Sequence, residues 1–252
     1  RFSPFPRPQR RKETRPNLYD YLKIVAIFTM IIDHVGYFFA PEIIELRLIG
    51  RAAFPIFLFL VGFNQNYKFS PKLAFMATFV WIFESVIGFS KGFDAPQLNI
   101  LFSILFARIF LSVIKKFEKK INLLILPIFA FSIILLEPSR HFFDYGTMAI
   151  LVAFWGFLMA KKHKFAHFFG AITMFAHLIF SILVFRFSEN LSIILLAIFA
   201  VEFLILCQIS RKNPSLKISP KIDKITLAIS KNALEIYAIH IVLFSIFANF
   251  RF

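Results

Sequence analysis

Asp33 and His34 stand side by side near the end of an apolar run that begins at Leu18. A carboxylate and an imidazole are expensive inside lipid, so the first reading of the pair is a chemical one. Imidazole changes charge near neutral pH, which makes His34 the candidate general base. Asp33 or Asp144 is the candidate to orient it and to stabilise the imidazolium. Adjacent residues on a helix point about 100° apart, so Asp33 is badly placed to hold its neighbour's ring, and a partner from another span is expected. The competing reading leaves both residues at a wet helix end with no chemical role.

Other polar groups fall at a similar depth. Arg47 and Arg51 lie around the start of the second apolar run, Glu84 late in the third, Asn99 at the start of the fourth, and Asp144 and Tyr145 at the start of the sixth. His240 lies mid-depth in the last run. These nine positions come from distant parts of the chain, as an active site built inside a helix bundle requires. Arg47 and Arg51 are four apart, so on one helix their charges share a face and repel. At a helix N-terminus, Arg51 would also oppose the macrodipole. Both placements call for anions: Asp33, Glu84 or Asp144 within the chain, or a phosphate or carboxylate of a substrate. His240 is either catalytic or a hydrogen-bonded core histidine, His177 reads as core, and His141, His163 and His167 read as solvated. No Gly-rich phosphate loop, zinc motif or Gly-x-Ser-x-Gly elbow is present, and no metal site is expected. One cysteine, Cys207, excludes an internal disulfide and a cysteine-based metal cluster.

The elements that position these residues follow from composition. Hydrophobic residues make up 59% of the 252 and charged residues 17%, with a mean hydropathy of +0.74. Soluble domains use about 45–50% apolar residues, so the chain reads as an all-α, multi-pass transmembrane bundle in the lipid bilayer. Nine apolar runs are placed near 18–40, 50–66, 71–89, 97–114, 121–137, 144–160, 165–187, 190–209 and 232–249. Residues 1–17 read as a basic disordered arm in the cytoplasm, and residues 18–252 as the transmembrane domain. The first run is too long for a cleaved signal peptide and is expected to remain as an anchor.

Loop charge supports that count. Of 29 Lys and Arg, 21 fall in the arm and in every second loop, the last of these at Arg211–Lys231, while six fall in the alternate loops and the C-terminus. The positive-inside rule then puts the N-terminus in the cytoplasm and the C-terminus outside. The net charge of +15 is spread over short loops rather than one basic face, so nucleic acid is not an expected partner. Lys23 can snorkel from the first run, and Arg108 in the fourth needs a partner such as Glu202 or a wet cavity.

Leu22–Ala26 and Met30–Gly36, followed by Arg47–Phe57, resemble the opening of the TraX family. Asp144-Tyr145-Gly146 is similar to a later motif of that family, and Tyr237-Ala238-Ile239-His240 to its C-terminal Tyr-Pro-Leu-His pattern, with Ala238 in place of proline. That family consists of polytopic membrane proteins implicated in acetylating the N-terminus of conjugative pilin. Phe54–Phe57 with Val61-Gly62-Phe63 is remotely similar to family-three and heparan glucosaminide membrane acyltransferases. The resemblance implies acetyl-CoA as acyl donor, His34 as catalytic, and Asp33, Arg47, Arg51, Asp144 and His240 in or near the site. It also implies a pilin-like polypeptide as acceptor, with a surface glycan as the alternative, in the inner (cytoplasmic) membrane of a bacterium. The basic inner loops are then candidates to hold the CoA phosphates. A proton-coupled transporter or exporter, using Asp33, Glu84, Glu202 and the histidines as a relay, is the rival from another class. A pilus-assembly subunit is the third reading, and it leaves the cost of Asp33, Arg51 and Arg108 unexplained.

Overall fold

The computed structural model describes residues 15–90, 97–209 and 219–249. Residues 1–14, Lys91, Arg211, Lys212, Lys217 and Arg251, which carry part of the charge asymmetry, lie outside the described residues. In chain order the helices are α1 (Leu18–Phe38), α2 (Ile44–Gly50), α3 (Ala53–Phe63), α4 (Pro71–Ser90), α5 (Ile100–Lys116) and α6 (Ile121–Ile134). They continue as α7 (Leu136–Ser139), α8 (Met148–Ala160), α9 (Ala166–Phe185), α10 (Glu189–Cys207), α11 (Pro220–Lys231) and α12 (Ala233–Asn249). No β-strand occurs among the described residues, and the fold is all-α.

Four elements are long and apolar enough to cross a membrane: α1, the α2–α3 stretch Ile44–Phe63, α9 and α10. The pair α11–α12, bent by 70°, makes a fifth if it crosses as one. The chain is therefore a membrane protein with four or five candidate spans among the described residues. The runs expected at 97–114, 121–137 and 144–160 form helices of 17, 14 and 13 residues, short of the roughly 20 that a crossing needs. The fifth run is also interrupted at Leu135.

The second run departs most from its expected bounds. It begins at Ile44, so Arg47 lies inside the element and Arg51 at the joint between α2 and α3. The backbone passes through that joint in helical conformation, with Arg51 at φ −61 and ψ −22. Arg51 thus caps α2 at its C-terminal end, where the dipole favours a cation, while it directly precedes the N-cap Ala52 of α3, whose dipole opposes one, so the expected conflict is offset.

Two local devices set the frame. Asn17 caps α1 by accepting the Tyr19 and Asp20 amides, while Asp20 Oδ2 accepts the Asn17 amide, a capping box that starts the helix before its apolar stretch. The other oxygen of Asp20 accepts from Ser230 at the end of α11, tying the start of α1 to the α11–α12 bend. At the centre, α8 is apolar around its whole circumference and is buried along almost its whole length, as such a helix must be. It packs on α3 through a reciprocal glycine crossing. A Cβ on Gly62 would lie 1.8 Å from the Ala153 carbonyl oxygen, and one on Gly156 would lie 2.1 Å from that of Phe59. Small residues let the two backbones touch, the packing that replaces hydrophobic drive inside lipid.

Candidate functional site

A cavity of about 390 Å³ opens between α1, the α2–α3 joint, α4, the segments before α5 and α8, the end of α9 and the first half of α12. Of the nine positions picked out from the sequence, Asp33, His34, Arg47, Arg51, Glu84, Asn99, Asp144 and Tyr145 line it. The ninth, His240, is hydrogen-bonded to His34.

Asp33 sits on the buried side of α1, facing α2. Its Oδ2 accepts from Arg47 Nη1 at 2.8 Å, its backbone carbonyl accepts from the same nitrogen at 3.1 Å, and its Oδ1 accepts from Arg51 Nη2. Arg51 Nε in turn donates to the Arg47 carbonyl at 3.1 Å. The anion that the two like charges required is therefore Asp33, with Glu84 and Asp144 left out of the pairing. Gly50 makes this contact possible, since a Cβ there would lie 2.2 Å from the Cβ of Asp33. The guanidinium of Arg51 also lies 4.3 Å from the Phe185 ring centroid and 5.6 Å from that of Tyr145, positions from which both rings attract a cation.

His34 points to another wall, as the 100° step from Asp33 demands. Its Nδ1 lies 2.8 Å from His240 Nε2, and the Nδ1 of His240 lies 2.8 Å from the Ile236 carbonyl oxygen. A carbonyl only accepts, so His240 Nδ1 carries the proton and the neutral ring presents Nε2 as an acceptor. His34 Nδ1 must then donate, which leaves the Nε2 lone pair of His34 free to accept a proton. Tyr237, one turn before His240, packs edge-on against both rings, at 6.1 and 5.6 Å. The orienting group for His34 is thus an imidazole from α12, not Asp33 or Asp144.

Asn99 and Asp144 are placed by one short bridge between the segments that carry them. The Leu98 amide donates to the Phe142 carbonyl at 2.7 Å, and the Asp144 amide to that of Leu98 at 3.3 Å. Asn99 caps α5 through its Oδ1 and reaches the Ala77 carbonyl of α4 with its amide nitrogen at 3.1 Å. Asn99 therefore fastens α4 to α5 beside the cavity. Tyr145 stacks flat on Phe54, with centroids 3.8 Å apart. Glu84 and Asp144 reach the same cavity, and neither is ion-paired among the described residues.

Outside this cavity, His177 and His163 are placed as expected and Arg108 is not. Arg108 does not meet Glu202; its Nη2 donates to the Lys68 carbonyl, and both carboxylate oxygens of Glu202 are buried without a partner. His177 is fully buried between Phe54 and Phe199, as a core histidine. His163 meets Asn122 on the exposed side. Sequence reasoning passed over Tyr237 and Phe185 as site residues. The quoted Tyr237-Ala238-Ile239-His240 motif holds the signal for Tyr237; Phe185 carries none among 38 phenylalanines.

Among known proteins, the chain is similar to an uncharacterized protein, RP591, of Rickettsia prowazekii (strain Madrid E), with 29% identity over 241 residues covering 92% of both chains. No solved structure matches. The family model described as TraX protein matches residues 19–248, from the start of α1 to the end of α12, so the site lies wholly inside the match and the chain belongs to the TraX family.

Proposed function

We propose that the protein is an integral membrane acetyltransferase that uses acetyl-CoA to acetylate an amine such as a pilin N-terminus. Family membership points to a membrane protein concerned with pilin modification. The observation that carries the finer reading is the His34–His240 hydrogen bond at the wall of a cavity lined by charged and aromatic side chains. In the reaction, the amine nitrogen attacks the thioester carbonyl carbon, the C–N bond forms, and the C–S bond breaks as the carbonyl is restored. His34 Nε2 takes the proton from the nitrogen and gives it to the departing thiolate, which leaves as the free thiol. His240 accepts from His34 Nδ1 throughout and steadies the imidazolium, the role that a carboxylate plays in other dyads. Arg47, half-buried at the cavity wall, stands ready to stabilise the oxyanion with the guanidinium N–H groups that Asp33 leaves free.

Glu84 and Asp144 favour an amine over a glycan hydroxyl. Two carboxylates in one cavity, neither ion-paired among the described residues, suit an ammonium group that arrives charged and gives one proton to a carboxylate before attack. The same reading places the chain in a bacterial inner membrane with nine crossings, N-terminus in and C-terminus out, the shorter helices completing the count. Purified protein incubated with radiolabelled acetyl-CoA and pilin-derived peptides should transfer label to the peptide amine, and His34→Ala should not. Absence of transfer to every peptide and glycan offered would overturn the reading.

A further inference from the structure

A second cavity, of about 220 Å³, continues the first along the bundle. Five helices, α1, α3, α4, α5 and α12, line both. α3 passes from Phe54 to Phe57, α5 from Asn99 to Arg108, and α12 from Ile241 back to Leu234. Met30 of α1, Ile100 and Tyr237 belong to both walls and form the septum between them. At 1.5 Å per residue, Arg108 lies about 12 Å from that septum along α5.

The second cavity is apolar apart from Tyr237, Ser70 and Arg108. Among the described residues Arg108 meets no anion: one nitrogen donates to the Lys68 carbonyl, and its Nε is buried with no acceptor. A guanidinium left unpaired at the far end of an apolar throat is costly unless a ligand completes it. The end of the bundle that holds it is basic, with Lys115 and Lys116 closing α5 and Lys72 at the start of α4, the last paired with Glu235 of α12.

Resting on the acetyltransferase reading, we propose that this cavity is the port of the acyl donor. Arg108 takes an anionic phosphate of acetyl-CoA, the apolar throat holds the narrow arm, and the thioester passes the Met30–Ile100–Tyr237 septum to reach His34. Tyr237 then serves two chambers, packing against the histidine pair on one side and against the donor arm on the other.

The test uses the full chain in neutral-lipid nanodiscs, with Cys207→Ser and Ser70→Cys, labelled with a charged maleimide. Acetyl-CoA should slow labelling at least tenfold, and Arg108→Gln should remove that protection and raise the acetyl-CoA Kd about tenfold with an unchanged elution profile. Ile104→Trp, which fills the throat, should block binding in the same way. If acetyl-CoA supports transfer yet leaves labelling untouched, the donor enters elsewhere and the port falls while the acetyltransferase reading stands. Protection by phosphatidylglycerol but not by acetyl-CoA would make this a lipid site and overturn the proposal. If the wild-type chain neither binds acetyl-CoA nor transfers acetyl, both fall.

Discussion

His34 Nδ1 and His240 Nε2 lie 2.8 Å apart across 206 positions of sequence, and the Ile236 carbonyl fixes which of the two rings donates. The direction matters because it leaves the base lone pair on His34, the ring that lines the cavity. His34→Ala should lower kcat by about 10²–10⁴, the usual contribution of a general base, with the protein still inserted. His240→Phe should cost less, because His34 keeps its base nitrogen but loses its acceptor partner. Single-turnover rates with radiolabelled acetyl-CoA check both, and near-normal activity of His34→Ala would remove it from the chemistry.

Asp33 serves two guanidiniums, so removing its charge strands both. Asp33→Asn should destabilise the fold by about 3–5 kcal/mol, as breaking a buried pair does. Arg47→Lys should cost less than Arg51→Lys, because Arg47 is the more exposed partner. Thermal unfolding in detergent gives the order, and equal losses for the two arginine variants would contradict it.

The crossing of α3 and α8 depends on two glycines that each meet the other helix's backbone. Gly62→Ala and Gly156→Ala should each destabilise by about 1–3 kcal/mol through overpacking, even though alanine is the better helix former. Melting temperature in detergent measures this. A neutral or stabilising effect at either position would mean the helices separate at little cost.

The two unpaired carboxylates predict acceptor preference. Glu84→Gln and Asp144→Asn should raise KM for an amine acceptor severalfold and leave KM for acetyl-CoA unchanged. A rise confined to the acetyl-CoA KM would move these residues to the donor side.

Topology is open to direct labelling. With Cys207→Ser as background, single cysteines at Lys119 and Lys162 should react with impermeant thiol reagents only from the cytoplasm. Reaction of Lys119→Cys from outside would invert the bundle.

Much of the site was legible in the chain before any fold was known. Charge is so costly in lipid that Asp33, Arg47, Arg51, Glu84 and Asp144 announce themselves by type alone, and all five then need only a common depth to be grouped. Helical geometry also made Asp33 a poor partner for His34, from the angle between neighbouring residues. Apolar composition determined an all-helical membrane protein, since a closed helix satisfies its own backbone where no water can.

Partner choice was decided only in three dimensions. Sequence depth ranks Asp33, Glu84 and Asp144 equally as anions for the arginines, and the selection of Asp33 depends on Gly50 letting α2 close onto α1. The same holds for His240, whose mid-span position fits a core histidine as well as a catalytic one until α12 is laid beside α1. Arg108 and Glu202 show the opposite outcome, an ion pair plausible by depth that helix rotation keeps apart. Depth in a membrane is a one-dimensional quantity written in hydropathy, whereas the face a helix presents, and to which neighbour, is set by packing among elements distant in the chain.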